Sequence, residues 1–492
     1  MTAPQVRGGY RLLVLVFVLA LLSPAAYAAV SPEGIDLGPG TVEASADERT
    51  YVSVQGFHFA GYGRPKKPAR LVAADGDAGL AWHFDDGRVG DWFYEVDPLE
   101  NGTLFVTSTY PGGTVAFEYD PDAGEVVRRH ERTGLVDTHS VKRLDENRLL
   151  IANMRATENG VSDDRLLIEN AETGETEWEW YFRDHYPNDT DGGFDEDWTH
   201  VNDIEIVRGG DPRQALGRQY RLNGTTQGRY VMASPRNFDQ VIVVDRRTDD
   251  IVMRLGEDDD HGTLFEQHSP DYLEREDGTP VILVADSEND RIVEYERDCG
   301  DEDPRLGAGT PPEDCEWTLV WAVDGFSWPR DADRLPNGNT LVTDTLNHRV
   351  VEVTPAGEVV WEFYAAWGPY EAERGAPGSN GPTMTDHGTT GRVTVSGGAD
   401  SSPATRYTVA DGISDAAAGT PVAAEADRLA TTYSHVEPWV RPVWMGSWTF
   451  LSFVLGLLVA LGWGLAEAVT HRKRIVAGIS TRLGAGERNE PS

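Results

Sequence analysis

The chain has 492 residues, 39% of them hydrophobic and 14 of them Trp, enough for one large repeat fold or about two to three ordinary domains. Its formal net charge is −39, with 82 Asp and Glu against 43 Lys and Arg, and only Lys66, Lys67, Lys142 and Lys473 are lysines. That balance excludes nucleic acid as a partner, because the phosphate backbone would be repelled. Acidic residues spread along the whole chain instead fit a surface adapted to molar salt, where the Debye length is only ~3 Å.

The chain opens with Arg7 and Arg11 ahead of an apolar run, residues 12–22, followed by Ala26-Tyr27-Ala28. A basic start, an apolar core and a small-x-small site predict a signal peptide over 1–28, cut after Ala28, or an uncleaved signal anchor.

From about 40 to 370 the chain reads as short alternating strands, punctuated by Gly, Asp, Asn and Pro, with almost no helical periodicity. One phrase recurs at the ends of units: Gly124-Glu125-Val126-Val127, Gly174-Glu175-Thr176-Glu177-Trp178, Asp250-Ile251-Val252-Met253 and Gly357-Glu358-Val359-Val360-Trp361. Ala78-Gly79-Leu80-Ala81-Trp82 and Trp317-Thr318-Leu319-Val320-Trp321 complete the set. Units of roughly 35–60 residues with about four strands are propeller blades. The expected fold is all-β: a six-bladed β-propeller, with blades at 51–84, 91–130, 137–182, 199–255, 265–323 and 327–363.

The blade openings align. Trp92-Phe93-Tyr94, Asp137-Thr138-His139, Trp198-Thr199-His200, Glu266-Gln267-His268 and Trp328-Pro329-Arg330 place Tyr94, His139, His200, His268 and Arg330 in one expected register. In a propeller the first strand of each blade lines the central channel, so these side chains are expected to ring it. Asn202 lies two residues beyond His200, on the same strand face. Arg236 ends the next strand, in Ser234-Pro235-Arg236-Asn237-Phe238.

Cys299 and Cys315 are the only cysteines; they bracket an acidic Gly/Pro-rich loop and are expected to form one disulfide outside the cell. Asn101, Asn188 and Asn223 head glycosylation sequons in turn-like sequence. Residues 375–440 turn to Gly, Ser, Thr, Ala, Pro and Asp and read as a flexible acidic stalk. Residues 448–469 are apolar, carry Trp448 at the outer end, and are followed by His471-Arg472-Lys473-Arg474. That pattern predicts a transmembrane helix with 470–492 as a cytoplasmic tail, hence a single C-terminal span in the cell membrane with the propeller outside. The oligomeric state is left open by the sequence.

The ring chemistry selects its guest. Three histidines suit zinc, but Arg236 and Arg330 would repel a metal, and no carboxylate shares the expected register; no metal is expected. An anion fits better, since the guanidinium groups offer flat forks of donors. Nearby Arg also keeps imidazole neutral and therefore nucleophilic.

Trp198-Thr199-His200-Val201-Asn202, Ser234-Pro235-Arg236-Asn237 and Phe265-Glu266-Gln267-His268 resemble, in order, the motifs of the aryl sulfotransferases. These are exported six-bladed propellers. The resemblance covers most of 51–363. It implies that His268 attacks the sulfur of an aryl sulfate to form a sulfohistidine, and that a phenol then takes the sulfuryl group. The reaction is ping-pong, with no cofactor and no nucleotide sulfate donor. His200, Asn202 and Arg236 would hold the sulfuryl oxygens, and His139 would stand near the leaving oxygen. From register alone, Tyr94, Trp328 and Arg330 are expected to contact substrate. Where the family often continues with Asp-Ala-Arg, this chain has Ser269-Pro270-Asp271 after the nucleophile. Asp344-Thr345-Leu346-Asn347-His348-Arg349-Val350 also resembles the repeat of NHL-type binding propellers, so a non-catalytic surface binding module stands as the alternative.

Overall fold

Hairpin chemistry accounts for the recurring phrase. The side-chain oxygens of Asp120 and Asn170 each accept hydrogen bonds from two amides of the following turn, 2.9–3.1 Å away. Gly124 and Gly174 then take φ of +70°, a value glycine tolerates best, and the outer strand begins. The tryptophans of the phrase face the next blade. Trp178 donates its indole N–H to Asp249, Trp321 to Pro355 and Trp361 to Gly76, at 3.0–3.1 Å, each in a turn of the neighbouring sheet. The repeat is thus the fastening of one blade to another.

The computed structural model describes residues 3–30, 37–56, 69–86, 89–207, 229–375, 381–398, 408–442 and 444–486. Six antiparallel sheets form the blades of a propeller within the unit Asp36–Pro403. Blades two to six each open at the channel with the strands Trp92–Pro98, Val141–Arg143, Val201–Val207, His268–Glu274 and Asp331–Arg334. Blade one is closed differently from the expected 51–84. Its innermost strand is Pro369–Arg374, which pairs with Thr50–Val54 (Val52 opposite Ala372), so the end of the propeller is zipped onto its beginning. Among the described residues, buried apolar side chains divide into six clusters, one between each neighbouring pair of blades. Stability is therefore carried by wedges of Val, Leu, Ile, Phe and Trp between sheets.

The segment read as a flexible stalk is structured where it is described. Residues 391–394 add a parallel strand to the outside of blade five, and residues 396–397 pair with blade six. Helices follow at Val409–Ala417 and Ala423–Val440. The first is fixed by a capping box between Thr408 and Asp411, a signal hidden in a Gly/Ala/Asp-rich composition. These helices belong to a second unit with the terminal helices Ala3–Ala28 and Ser447–Gly486. Both terminal helices contain stretches apolar and long enough to cross a membrane: Tyr10–Ala28, and Ser447–Arg472 rather than 448–469 alone. The C-terminal helix continues into the expected tail as far as Gly486.

Candidate functional site

The channel mouth is built on a repeated backbone turn. Thr199, Phe265 and Ser327 each accept, on their carbonyl, an amide from the turn after the second strand: those of Asn237, Glu288 and Leu346, at 3.0–3.2 Å. This fixes the register of blades four to six. His200, Glu266 and Trp328 are equivalent, all left-handed with φ of 40–49°. Two residues on, Asn202, His268 and Arg330 are equivalent. The expected ring is corrected accordingly: Asn202, not His200, stands in register with His268 and Arg330. His200 occupies the preceding turn, from which it still reaches His139, with ring centroids 5.0 Å apart.

His268 is 2% exposed. Its Nδ1 lies 2.8 Å from Ser287 Oγ and 3.1 Å from the carbonyl of Glu266. A carbonyl only accepts, and the Ser287 hydroxyl donates its own hydrogen to the carbonyl of Pro329 at 2.7 Å. Nδ1 therefore carries the proton and Nε2 carries the lone pair. Burial, then the charges of Arg330 and Arg236, hold the imidazole pKa well below its ordinary value, so the ring is neutral.

His200 and His139 are supported by carboxylates. His200 Nδ1 meets Asp197 Oδ2 at 2.9 Å. Burial and the charge of Arg236 outweigh that carboxylate and bring the His200 pKa down to about 3. His139 Nε2 lies 3.6 Å from Asp137 Oδ1, and its Nδ1 meets the hydroxyl of Tyr370 at 3.1 Å. Tyr94 stacks on His139 with centroids 4.0 Å apart and donates to Asp137 at 2.9 Å. Arg155 joins the two carboxylates, forking onto Asp197 at 2.8 and 3.0 Å and reaching Asp137 at 3.1 Å. Burial pulls Asp137 upward, but the bond to His139 and the charges of His139 and Arg155 win and set it at about 2.

Arg236 bonds Asn237 Oδ1 at 3.0 Å and pairs with Glu266. Arg330 bonds Gln55 and lies over two rings, 4.3 Å from the centroid of Trp328 and 4.9 Å from that of Tyr370. The Nε atoms of both guanidinium groups are buried without a hydrogen-bond partner among the described residues. Asn202 donates to the carbonyl of Gln267 at 2.8 Å, which ties the blade-four strand to the residue before His268 and leaves its second N–H. His268 and Trp328 stand 6.1 Å apart, as do His268 and Tyr370. The structure thus gathers Tyr94, His139, His268 and Arg330 around Tyr370, with His200 against His139 and Trp328 against His268 and Arg330. Charge from Arg236 reaches His268, and Asn202 buttresses it.

Sequence reasoning missed Tyr370, Ser287, Asp137, Asp197 and Arg155. A signal existed for Tyr370: Tyr370-Glu371-Ala372-Glu373 matches Tyr94-Glu95-Val96-Asp97. Ser287 follows from the turn register, where it is equivalent to Arg236.

Below the ring lies a layer of carboxylates around Lys142, whose ammonium meets Asp97 at 3.1 Å, Glu95 at 3.5 Å and Glu371 at 3.6 Å. The layer has a structural reason. Inner strands present amides with no strand partner in the channel, and buried amides must be satisfied. Glu95 accepts the amide of Val141 at 3.1 Å, Glu205 that of Tyr272 at 3.2 Å and Asp331 that of Ala372 at 2.9 Å; Glu371 accepts that of Val96. Each bond runs from one blade to the next. Burial raises the pKa of these carboxyls, that of Asp331 to about 7. Among the described residues no three His, Cys, Asp or Glu side chains are arranged to hold a metal ion.

Cys299 and Cys315 form a disulfide. Asn101 and Asn188 are exposed, whereas Asn223 lies outside the described residues.

No family model and no curated protein matches the chain. Solved structures do. A Bacteroides caccae protein of unknown function has 12% identity and a TM-score of 0.38, covering 71% of this chain and 98% of its own. A catalytically inactive virginiamycin B lyase from Staphylococcus aureus, solved with quinupristin, has 10% identity and a TM-score of 0.35, covering 68% and 86%. The β-propeller domain of Myceliophteria thermophila Cps50 has 11% identity and a TM-score of 0.35, covering 68% and 89%. Likeness at these scores assigns no activity.

Proposed function

We propose that the propeller is an aryl sulfotransferase, held at the cell membrane with its channel outside, that moves a sulfuryl group from an aryl sulfate to a phenol. The observation that carries the reading is the state of His268: buried, neutral, with its proton fixed on Nδ1 and its Nε2 lone pair free beside two cations. Nε2 attacks sulfur, an N–S bond forms, and the S–O bond to the aryl group breaks. Charge that develops on the imidazole is met by Ser287 and the Glu266 carbonyl through Nδ1–H. Arg236 and Arg330 face the sulfuryl oxygens, where positioned cations act most strongly on transfer, and the neutral imidazole of His200 lines the same pocket. The Tyr370–His139 pair supplies the proton to the departing phenolate. A second phenol returns that proton as its oxygen attacks sulfur, the N–S bond breaks, and the lone pair goes back to Nε2. The partners are thus two small molecules, with no cofactor.

The test is nitrophenolate release from p-nitrophenyl sulfate with a phenol acceptor at high salt, for wild type and His268→Ala together. Release beyond one equivalent that needs the acceptor and is lost in the variant supports the reading, as does the mass of one sulfuryl group on a His268 peptide quenched without acceptor. A folded protein that releases nothing overturns it and leaves the NHL-like surface binding module.

A further inference from the structure

The two apolar terminal helices touch along their length. Ser452 donates its hydroxyl to the carbonyl of Leu21 at 2.8 Å. Gly456 lies against Leu21 and Leu22: a β-carbon there would fall 2.8 Å from Leu22 Cδ2 and 3.1 Å from Leu21 Cβ. At the other end Arg11 forks onto Glu467 at 2.8 and 2.5 Å, and His471 joins the pair at 2.9 Å from Arg11 and 3.2 Å from Glu467. Leu21–Leu22 meets 452–456 and Arg11 meets 467–471, so one helix runs down as the other runs up. The contact face is specific, since Gly462 and Gly464 on the same C-terminal helix have open space where a β-carbon would stand. A small residue that lets two helices approach, with polar bonds across the seam, is the pattern of helix pairs in lipid.

We propose that the N-terminal helix is not removed as a signal peptide but stays as a second transmembrane segment, paired antiparallel with the C-terminal helix. The antiparallel order brings the basic ends together: Arg11 beside the end that carries Arg472, with Lys473 and Arg474 next in sequence. It brings the aromatic ends together as well, Tyr27 with Trp444 and Trp448, all exposed. One basic end and one aromatic end match a cytoplasmic and an outer interface. Both chain termini are then cytoplasmic, and the intervening chain leaves and re-enters the membrane on the same outer side. The lengths agree: 19 residues from Tyr10 to Ala28 span about 28 Å, close to a hydrocarbon core of about 30 Å. The Ala26-Tyr27-Ala28 motif lies in the last turn of the helix, where Ala25 is 4% exposed.

Two measurements on the full-length protein in its membrane test this. The first is the intact mass and N-terminal sequence of purified wild type carrying an epitope tag ahead of Met1. Retention of tag and helix is expected; a mature protein beginning at Ala29 overturns the proposal. The second is oxidative cross-linking of Leu22→Cys with Gly456→Cys, compared with Leu22→Cys with Gly464→Cys. After proteolysis of the propeller, the N- and C-terminal fragments of the first variant are expected to stay joined until reduced, and those of the second to separate. A retained helix that fails to cross-link in the first variant, or cross-links equally in both, overturns the pairing.

Discussion

The Ser287 hydroxyl stands 2.8 Å from Nδ1 of His268 and passes its own hydrogen to the Pro329 carbonyl, so a side chain from the turn after the second strand of blade five sets the tautomer of a histidine on the first. Orientation of one imidazole nitrogen by a bond to the other is a general device in nucleophilic sites. Ser287→Ala removes one of two acceptors from Nδ1 and leaves the Glu266 carbonyl. The expected result is a first half-reaction slower by about tenfold, the size of one hydrogen bond, with the fold unchanged. The burst of nitrophenolate in a single turnover measures it; an unchanged burst rate would mean that Glu266 alone fixes the ring.

After burial, the charge of Arg330 does most to keep His268 neutral. A histidine with a depressed pKa does not protonate as pH falls through the ordinary imidazole range. The rate of the nitrophenolate burst in wild type is therefore expected to be flat from about pH 8 down to about pH 5. Arg330→Gln removes a positive neighbour, which moves the pKa of His268 upward. An acid limb should then enter the profile, with rate falling as pH drops. A parallel loss at every pH would assign Arg330 to sulfuryl binding alone.

Much of the fold was legible because the repeat has a physical cause: the Asx-type turns and the indole bonds of Trp178, Trp321 and Trp361 impose it on the sequence. The closure of blade one was not, since Pro369–Arg374 pairs with Thr50–Val54 across more than 300 residues of sequence. Within the site, His139, His200, His268 and Arg236 were found from motif and register. His200 was placed in the wrong row because histidine was aligned with histidine, whereas the backbone turn makes His200 equivalent to Glu266 and Trp328, two residues ahead of the row that holds His268. Lone partners such as Arg155 leave no local pattern at all. The helix Val409–Ala417 was obscured by small residues that dilute any periodicity.

Lys142 holds Asp97, Glu95 and Glu371 together in the carboxylate layer. Burial raises the pKa of Glu95 and Glu371, and the Lys142 ammonium opposes the rise. In Lys142→Met their folded pKa values move further above the unfolded ones. The native state then binds more protons than the unfolded state between the two values, so stability falls as pH rises through that window. The variant is expected to melt below wild type, with a larger gap at pH 8 than at pH 5; thermal unfolding at both pH values in high salt measures it. A gap independent of pH would mean that packing of the Lys142 stem, rather than its charge, holds the layer. Glu95→Ala, which leaves the Val141 amide only the Thr107 hydroxyl at 3.2 Å and takes a carboxylate from Lys142, should cost about 1 kcal/mol, and Glu95→Gln less.

Tyr370 closes the ring from the strand that zips the propeller shut, and burial holds its phenol protonated by raising its pKa well above the ordinary value. Its hydroxyl meets His139 while its ring lies under Arg330. Tyr370→Phe keeps the ring beneath the guanidinium and removes only the hydroxyl. A donor such as p-nitrophenyl sulfate releases a stable anion and needs little help from an acid, whereas an alkylphenyl sulfate releases a basic phenolate and needs more. The variant should therefore lose little rate with the first and about 10²-fold or more with the second, in keeping with the size of general acid catalysis. Rates for a series of phenyl sulfates, plotted against the pKa of the leaving phenol, would steepen in Tyr370→Phe. Equal losses across the series would place the hydroxyl in the support of His139 instead of in proton transfer.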